Sequence, residues 1–325
     1  MKAAVYHGYG PPDVIRIEDV EKPVPKDQQI LVRVRASTVG TWDCEARSFS
    51  FPLWFWLPLR LGMGIRRPRW PVLGQELAGE VEAVGKDVTG FRPGDRIMAA
   101  TGLGFGAHAE YACVSSRRAV THIPDNLSFA EAASIPTGGD NALHFLRLAA
   151  VQPGERVLVN GAGGNIGVMA IQIAKHHGAE VTAVDSADKL DGLRSIGADH
   201  VIDYTAQDYT RAGKTYDIIF DLVFGSSYAG AVATLNPKGR YIVANPTFSA
   251  LLRARWTNRT TDKRVITRFA ASKPEDLVIL KELAEAGEIR AAIDRRFRLE
   301  EAAEAHAYVD AGSRTGAVVL TMEDA

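Results

Sequence analysis

Arg156-Val157-Leu158-Val159-Asn160, then Gly161-Ala162-Gly163-Gly164-Asn165-Ile166-Gly167, is the stretch that decides the fold. The first five residues form a short apolar run, the pattern of a buried strand. A turn rich in glycine follows. A helical pattern then runs through Ile173 and Lys175 and stops at Gly178, a natural C-terminal cap. Glu180 to Val184 is a second β-rich run, and it ends on Asp185. Strand, glycine turn, helix, strand and terminal acid is the order a dinucleotide-binding unit requires.

Each part has a physical task. Glycines let the backbone turn tightly and approach a pyrophosphate with no Cβ in the way. A helix starting near Asn165 points N–H groups at that phosphate, and its dipole favours negative charge. Gly167 lets the helix lie close to the strand. Asp185 falls eighteen residues beyond Gly167, near the spacing for an acid on the adenosine ribose. The spacing Gly161-x-Gly163-x-x-x-Gly167 is one residue longer than the simplest fingerprint, so the surrounding strand–helix–strand order carries the reading.

Working outward, 325 residues suit two domains with large cores. A hydrophobic content of 46% with 24% charged residues is that of an ordinary globular protein. A formal net charge of −1 gives no reason to expect nucleic acid as a partner. Two cysteines, Cys44 and Cys113, make neither a disulfide framework nor a four-cysteine zinc site. The start Met1-Lys2-Ala3-Ala4-Val5 lacks a long apolar run, so no signal peptide is expected. The longest apolar patch, Phe51 to Leu61, is broken by Pro52, Pro58 and Arg60 and is too interrupted to span a bilayer. A cytoplasmic setting is the expectation.

Residues 1–125 read as a β-rich domain. Lys2 to Tyr6, Ile15 to Glu18, Ile30 to Ala36, Leu77 to Val84 and Asp95 to Ala99 have strand character, punctuated by Gly and Pro. That spacing suggests a small barrel or sandwich. Ser48 to Trp70, dense in Phe, Trp, Leu and then Arg, admits three readings: a helical flap on its own domain, a wall for an apolar substrate, or a membrane-surface contact. Its two prolines argue against one long helix. Ser128 and Glu131 form a capping box, and the helix they start is expected to enter the second domain. From Val151 strands and helices alternate, which predicts a doubly wound parallel sheet over 126–265. Val265 to Phe269 is expected to add a strand, and Pro274 to Ala286 a helix ended by Gly287. Residues 266–325 are expected to return to the first domain through Ala292 to Phe297, a helix over Leu299 to Asp310, and a strand over Ala317 to Met322.

Motifs along nearly the whole chain carry a family likeness. They include Met1-Lys2-Ala3 with Tyr9-Gly10-Pro11-Pro12, Pro71-Val72-Leu73-Gly74-Gln75-Glu76-Leu77-Ala78-Gly79, and Phe91-Arg92-Pro93-Gly94-Asp95-Arg96. Ala109-Glu110-Tyr111, the glycine turn and Leu193-Arg194-Ser195-Ile196-Gly197-Ala198-Asp199 continue the series. The chain resembles the medium-chain dehydrogenase/reductase superfamily, in the zinc-free branch of zeta-crystallin-like quinone oxidoreductases. The resemblance implies a GroES-like barrel domain built from both termini, a Rossmann domain in the middle, an active site in the cleft between them, and a homodimer joined at the Rossmann sheet edge.

Zinc members hold their metal through a cysteine three residues before an aspartate, a histidine in Gly-His-Glu, and a third cysteine or acid. Here the aspartate is Asp43, the cysteine position is Gly40, the histidine position is Gln75, and the third falls near Thr137. The resemblance therefore implies no zinc. His176 and His177 are adjacent on a helix and do not share a face, so they are not read as ligands. Without a Lewis acid, hydride transfer to a quinone or a conjugated enone is the expected reaction, because such an acceptor itself stabilises negative charge. The alternatives are a zinc-free alcohol, aldehyde or enoyl-thioester reductase, and a nucleotide-binding redox sensor or scaffold without catalysis. No general acid is identified. Relatives that reduce quinones often carry Asn at the position of Gly40 and Tyr near Glu45, and this chain has neither. Gly40, Thr41, Trp42 and Gln75 are the candidates for the substrate pocket.

For the cofactor, the resemblance assigns the pyrophosphate to Gly163, Gly164, Asn165, Ile166 and Gly167, with Gly161 in the same turn. It assigns the nicotinamide side to Asn141, Val223 and Asn245, and the adenosine end to Arg314. Asp185 would accept from the ribose hydroxyl of NADH and repel the phosphate of NADPH. Two unit charges about 4 Å apart interact by roughly 4 kcal/mol at an effective dielectric near 20. Relatives using NADPH commonly have a small residue there, with a Lys and a Tyr matching Lys189 and Tyr204, both present here; Ser186 suits either form. NAD(P)H is the expected cofactor, with NADH slightly favoured.

Overall fold

The computed structural model describes residues 1–268, 270 and 273–322, apart from the side chains of Trp54 and Leu103. Two compact units divide the chain: residues 1–137, 273–287 and 291–325 in the first, residues 138–272 and 288–290 in the second. The tip of the predicted strand Val265 to Phe269 lies outside the described residues at Phe269.

The first unit opens with β1 (Lys2–Tyr6), β2 (Ile15–Asp19) and the long β3 (Gln29–Val39). Helices α1 (Thr41–Ser48) and α2 (Leu53–Met63) follow, the second with Pro52 at its N-cap and Pro58 inside it. Pro52 precedes this three-turn helix and Pro58, the sixth of its eleven residues, leaves one amide out of its hydrogen-bond ladder; the segment holds a short helix, as its prolines suggested, and not one long one. Strands β4 (Glu76–Val84), β5 (Arg96–Ala100), β6 (Tyr111–Ser115) and β7 (Val120–His122) complete the amino-terminal share. β3 is the spine of this unit. It pairs antiparallel with β4 and β6, and register shifts at Leu31/Val32 and Val34/Ala36 give it the extra twist that bends a sheet. Its alternate residues Ile30, Val32 and Val34 enter a core with Leu77, Val81, Ile97 and Val114.

Helix α3 (Phe129–Ala133) is capped as its sequence predicts: the Glu131 amide donates to Ser128 Oγ, and the Ser128 amide to the Glu131 carboxylate. Contrary to expectation it stays with the first unit, packed on β3 and β4 through the small buried face of Ala130, Ala132 and Ala133.

The second unit begins within α4 (Pro136–Ala149) and continues through β8 (Arg156–Asn160), α5 (Asn165–His176), β9 (Glu180–Asp185), α6 (Leu190–Ser195) and β10 (His200–Asp203). Then come β11 (Tyr216–Asp221), α7 (Tyr228–Ala233), β12 (Leu235–Val243), α8 (Phe248–Thr260) and β13 (Arg264–Ile266). Six strands pair in the order β10-β9-β8-β11-β12-β13, all parallel. Val157, Leu158, Val159, Ile218, Ile219 and Phe220 are fully buried, as strands covered on both faces demand. The strand order reverses between β8 and β11, so their carboxyl ends open the crevice where such sheets bind ligands.

The tail supplies α9 (Pro274–Glu285), β14 (Ile293–Arg298), α10 (Ala302–Asp310) and β15 (Ala317–Thr321) to the first unit. β15 pairs parallel with β14 and antiparallel with residues 36–39 of β3. A second core forms around Tyr6, Cys44, Phe49, Met63, Leu299, Val309 and Leu320. Among the described residues no helix is long and apolar enough to cross a membrane.

Candidate active site

The glycine turn sits at the carboxyl end of β8. The amides of Gly161 and Ala162 both donate to the Val184 carbonyl, at 3.0 and 3.1 Å, so the turn is tied to β9. Gly161 has φ +79°, a conformation other residues resist. Gly167 is a contact glycine: a Cβ there would lie 2.4 Å from the Ala162 carbonyl oxygen, so α5 rests directly on the turn. Gly164 is the N-cap of α5 and offers no side chain to cap it. Gly164, Asn165 and Ile166 are partly exposed there, leaving the first turn of the helix open to an anion. Gly138 on α4 abuts this point, with a Cβ position only 2.7 Å from Asn165 Nδ2. Asn141 lies one turn further along α4.

The expected ribose end is assembled around Asp185. Its carboxylate accepts from the Gly163 amide at 2.7 Å, from the Ser186 amide at 2.9 Å and from Lys189 Nζ at 2.8 Å. The Tyr204 amide donates to the Asp185 carbonyl at 3.2 Å, which brings β10's end alongside. Gly163, Asp185, Ser186, Lys189 and Tyr204 therefore form one cluster. The sequence placed Lys189 near it, but not the ion pair with Asp185, both of whose side chains are nearly buried.

At the carboxyl ends of β11 and β12 the organising residue is Asp221, which is fully buried. It accepts from Asn160 Nδ2 at 2.9 Å, the Val223 amide at 3.1 Å, Tyr241 Oη at 2.7 Å and Ser226 Oγ. Asn245 Nδ2 donates to the Leu222 carbonyl at 2.8 Å. Val223 Cγ2 stands 3.0 Å from where a Cβ on Gly161 would be. The two loops that carry Val223 and Asn245 are thus fixed beside the glycine turn. Asp221 escaped the sequence reading; a strand that ends on an acid two residues before a candidate contact was its only trace.

The substrate-side candidates are brought together in the first unit by a buried acid. Asp43 accepts from the Gly40 amide at 2.9 Å and the Gly74 amide at 3.0 Å, clamping the start of α1 to the loop before Gln75. Burial raises its carboxyl above the usual carboxylate range, against the pull of His108 and the two amides. Beneath Gln75, Glu76 accepts from the Thr137 amide at 2.6 Å and from Thr38 Oγ1, and burial pushes its carboxyl up to about 7. The Thr101 amide donates to the Gln75 carbonyl at 2.7 Å. Gly40, Thr41, Trp42 and Gln75 thus border one clamped pair of loops. Arg314, the candidate for the adenosine end, belongs to this unit: its guanidinium donates to Thr41 Oγ1 at 2.7 Å and more weakly to the Val39 carbonyl. The strand β15 that follows it pairs with β3, which carries Arg314 to Val39 and Thr41. Cys44, one residue past Asp43, is buried, and that burial raises its thiol above the usual range.

Known proteins share the two-domain plan. The model of the alcohol dehydrogenase GroES-like domain matches residues 26–125, and that of a zinc-binding dehydrogenase domain matches residues 196–320. A chloroplastic quinone oxidoreductase of Triphysaria versicolor is 31% identical over 98% of this chain and 98% of its own. The chain belongs to the medium-chain dehydrogenase/reductase superfamily, in its zeta-crystallin-like quinone oxidoreductase branch. A 2-methylene-furan-3-one reductase of Solanum lycopersicum is 31% identical over 98% of this chain and 79% of its own. The solved quinone oxidoreductase of Coxiella burnetii superposes with a TM-score of 0.87 at 30% identity, covering 99% of each chain.

Membership in this superfamily implies NAD(P)H, and the residues fit it: a helix start with no side-chain cap, a turn in which Gly161, Gly163 and Gly167 resist a Cβ, and an acid at the end of β9. The zinc of other superfamily members does not fit. Gly40 has no side chain to donate, Gln75 offers a neutral amide, and the intervening Asp43 is spent on two backbone amides. Among the described residues no group of three or more His, Cys, Asp or Glu side chains is placed to hold a metal ion.

Proposed function

We propose that the protein is a zinc-independent oxidoreductase that reduces a quinone or an α,β-unsaturated carbonyl with NAD(P)H. The nicotinamide, when bound, supplies the hydride. The observation that carries the reading is the pairing of an intact dinucleotide cradle with a metal position filled by Gly40 and Gln75. An acceptor at such a site receives no Lewis-acid help and must delocalise its own negative charge, as quinones and enones do. The names of the relatives, a quinone oxidoreductase and a furanone reductase, point to the same acceptors.

In this reading Gly163 to Gly167 hold the pyrophosphate, Asn141, Val223 and Asn245 border the nicotinamide, and Asp185, Ser186, Lys189 and Tyr204 hold the adenosine ribose. Gly40, Thr41, Trp42 and Gln75 border the acceptor, a small apolar molecule. Asp185 favours NADH, while its ion pair with Lys189 moderates the repulsion of a 2′-phosphate, so the preference for NADH is slight. A homodimer belongs to the reading as well. β13 is an edge strand, and no described strand pairs with its outer side. Both cysteines are free thiols, in keeping with a reducing cytoplasm.

The test is the loss of reduced-nicotinamide absorbance with NADH or NADPH and a panel of quinones, enones and simple aldehydes, with and without a chelator. Chelator-insensitive turnover on quinones or enones is expected, and turnover confined to aldehydes, or abolished by chelation, would sink the reading. In the Asp185→Ser variant the NADPH-to-NADH ratio of kcat/KM should rise about tenfold, because the charge opposed to the phosphate is gone while Lys189 is released to meet it. An unchanged ratio removes Asp185 from cofactor choice.

A further inference from the structure

Helix α2 shows two unlike faces. Its inner face is anchored. Met63 is buried, Leu59 packs on the same core, and Trp56 meets Phe49 edge-on with ring centres 5.6 Å apart. The Arg60 guanidinium lies 4.1 Å over the Tyr9 ring and 4.4 Å over Phe49. Tyr9 Oη donates to the carbonyls of Met63 and Gly64, at 3.0 and 2.9 Å, which finishes the helix's carboxyl end. The Arg69 amide then donates to the Met63 carbonyl at 2.7 Å, folding the residues after the helix back against it. Gly64, at φ +118°, makes that turn possible, since a Cβ would fall 2.0 Å from the Arg67 carbonyl oxygen.

The outer face has no such covering. Leu53, Leu57 and Leu61, spaced by four, are 90%, 60% and 59% exposed, and Ile65 continues the row at 61%. From Leu53 to Leu61 the row is about 12 Å long, two turns of helix, a length that lies along an interface and cannot span one. Beside it Arg66, Arg67 and Arg69 are all exposed. No Asp or Glu occurs between Glu45 and Glu76, although the whole chain carries a net charge of −1. The remaining arginines of this segment are engaged elsewhere, Arg47 with Asp310 and Arg60 with the rings.

An exposed apolar row on an anchored helix, flanked by cations and no acid, is the surface chemistry of an interfacial helix. We infer that α2 and the turn after it dock the protein on a membrane surface containing anionic lipid, with the leucine row in the acyl boundary and Arg66, Arg67 and Arg69 at the headgroups. A second copy of the chain fits less well. A two-fold contact sets the patch against itself and brings six arginines together with no acid from this segment to meet them. The docking is independent of which acceptor is reduced.

The experiment is co-sedimentation of the full chain with phosphatidylcholine vesicles and with vesicles also containing phosphatidylglycerol. The wild type should bind the anionic vesicles at low salt, at least tenfold more than the neutral ones, and release as salt is added. The combined Leu53→Ser, Leu57→Ser, Leu61→Ser variant should lose binding at least tenfold. The combined Arg66→Gln, Arg67→Gln, Arg69→Gln variant should lose the preference for anionic lipid. If the triple leucine variant fails to fold, Leu57→Gln alone replaces it, with a several-fold loss expected. No binding by the wild type, equal binding to both vesicle types, or full binding by a folded leucine variant overturns the inference. So does a dimer in light scattering that the leucine variant dissolves while the wild type ignores vesicles. A KM rise for apolar acceptors alone in that variant, with no vesicle binding by the wild type, assigns the face to substrate and overturns it too.

Discussion

Glu76 is a fully enclosed acid, and burial outweighs the hydrogen bonds from Thr38 and Thr137 that favour its ionised form. The Thr137 amide donates to one carboxyl oxygen and Thr38 Oγ1 donates to the other. With its carboxyl pushed from 4.5 up to about 7, the folded state holds a proton that the unfolded state has lost. Stability must then fall as pH rises through the window from about 4.5 to about 7, by something on the order of 3 kcal/mol for this one group. Glu76→Gln keeps an acceptor oxygen for the Thr137 amide and removes the titrating proton. The variant should show a flatter decline of Tm between pH 5 and pH 8, measured by calorimetry in matched buffers. Asp43, raised in the same sense, leaves part of the slope behind. An unchanged slope would show that Glu76 is ionised in the fold at no cost. Neither acid was legible as a site residue. Asp43 and Glu76 stood in the sequence as markers of motifs, because burial and the choice of hydrogen-bond partner come from strands far apart in the chain. The spacing of Lys189 from Asp185 was visible, yet a residue on one turn after a strand has many directions to point in.

At the scale of elements, the strand, glycine turn and helix from Arg156 to His176 could be read almost to the residue, since backbone sterics and period alone dictate them. Two glycines there separate packing from binding. In Gly167→Ala the new Cβ meets backbone of Ala162 at 2.4 to 2.7 Å, so α5 must shift, at about 1–3 kcal/mol for an overpacked contact. In Gly164→Ala nothing lies closer than 4.0 Å, and the residue's φ of −77° and ψ of 165° suit alanine. Gly167→Ala should lower Tm with or without cofactor. Gly164→Ala should keep the Tm of the free protein and lose most of the upward shift that NADH gives, since only the ligand-bound state is affected. Equal behaviour of the two variants would refute the cradle. Helix α2 was less legible: its prolines read as breakers, while the anchoring by Tyr9, Phe49 and Arg60 that holds it comes from tertiary contacts.

At the scale of the whole molecule, the second unit has all six of its strands by Ile266, whereas the first lacks α10 and β15 until the end of the chain. A chain stopped after Glu300 should therefore still bind NADH, seen by fluorescence titration, while limited proteolysis cuts within residues 1–137. Resistance of that region would show that β3 and β4 hold it without β15. The alternation of strands and helices made the doubly wound sheet legible; the tail was expected to return to the first domain without the strand it would join, because no local pattern says which distant edge a strand will pair with.

The position of β15 has a consequence for how the protein is made. Residues 1–137 leave the ribosome before the central unit, yet Val39, Cys44 and Phe49 find their partners Leu299, Val309, Val318 and Leu320 only after that unit has been made. Throughout translation of the central nucleotide-binding unit, the nascent amino-terminal segment carries an unfinished sheet edge and an open apolar face. The newborn chain then exposes chaperone-binding surface in residues 1–137 while its central unit is already native, and messages cut before the codons of α10 and β15 would yield products with a sound cofactor fold attached to an aggregation-prone partner.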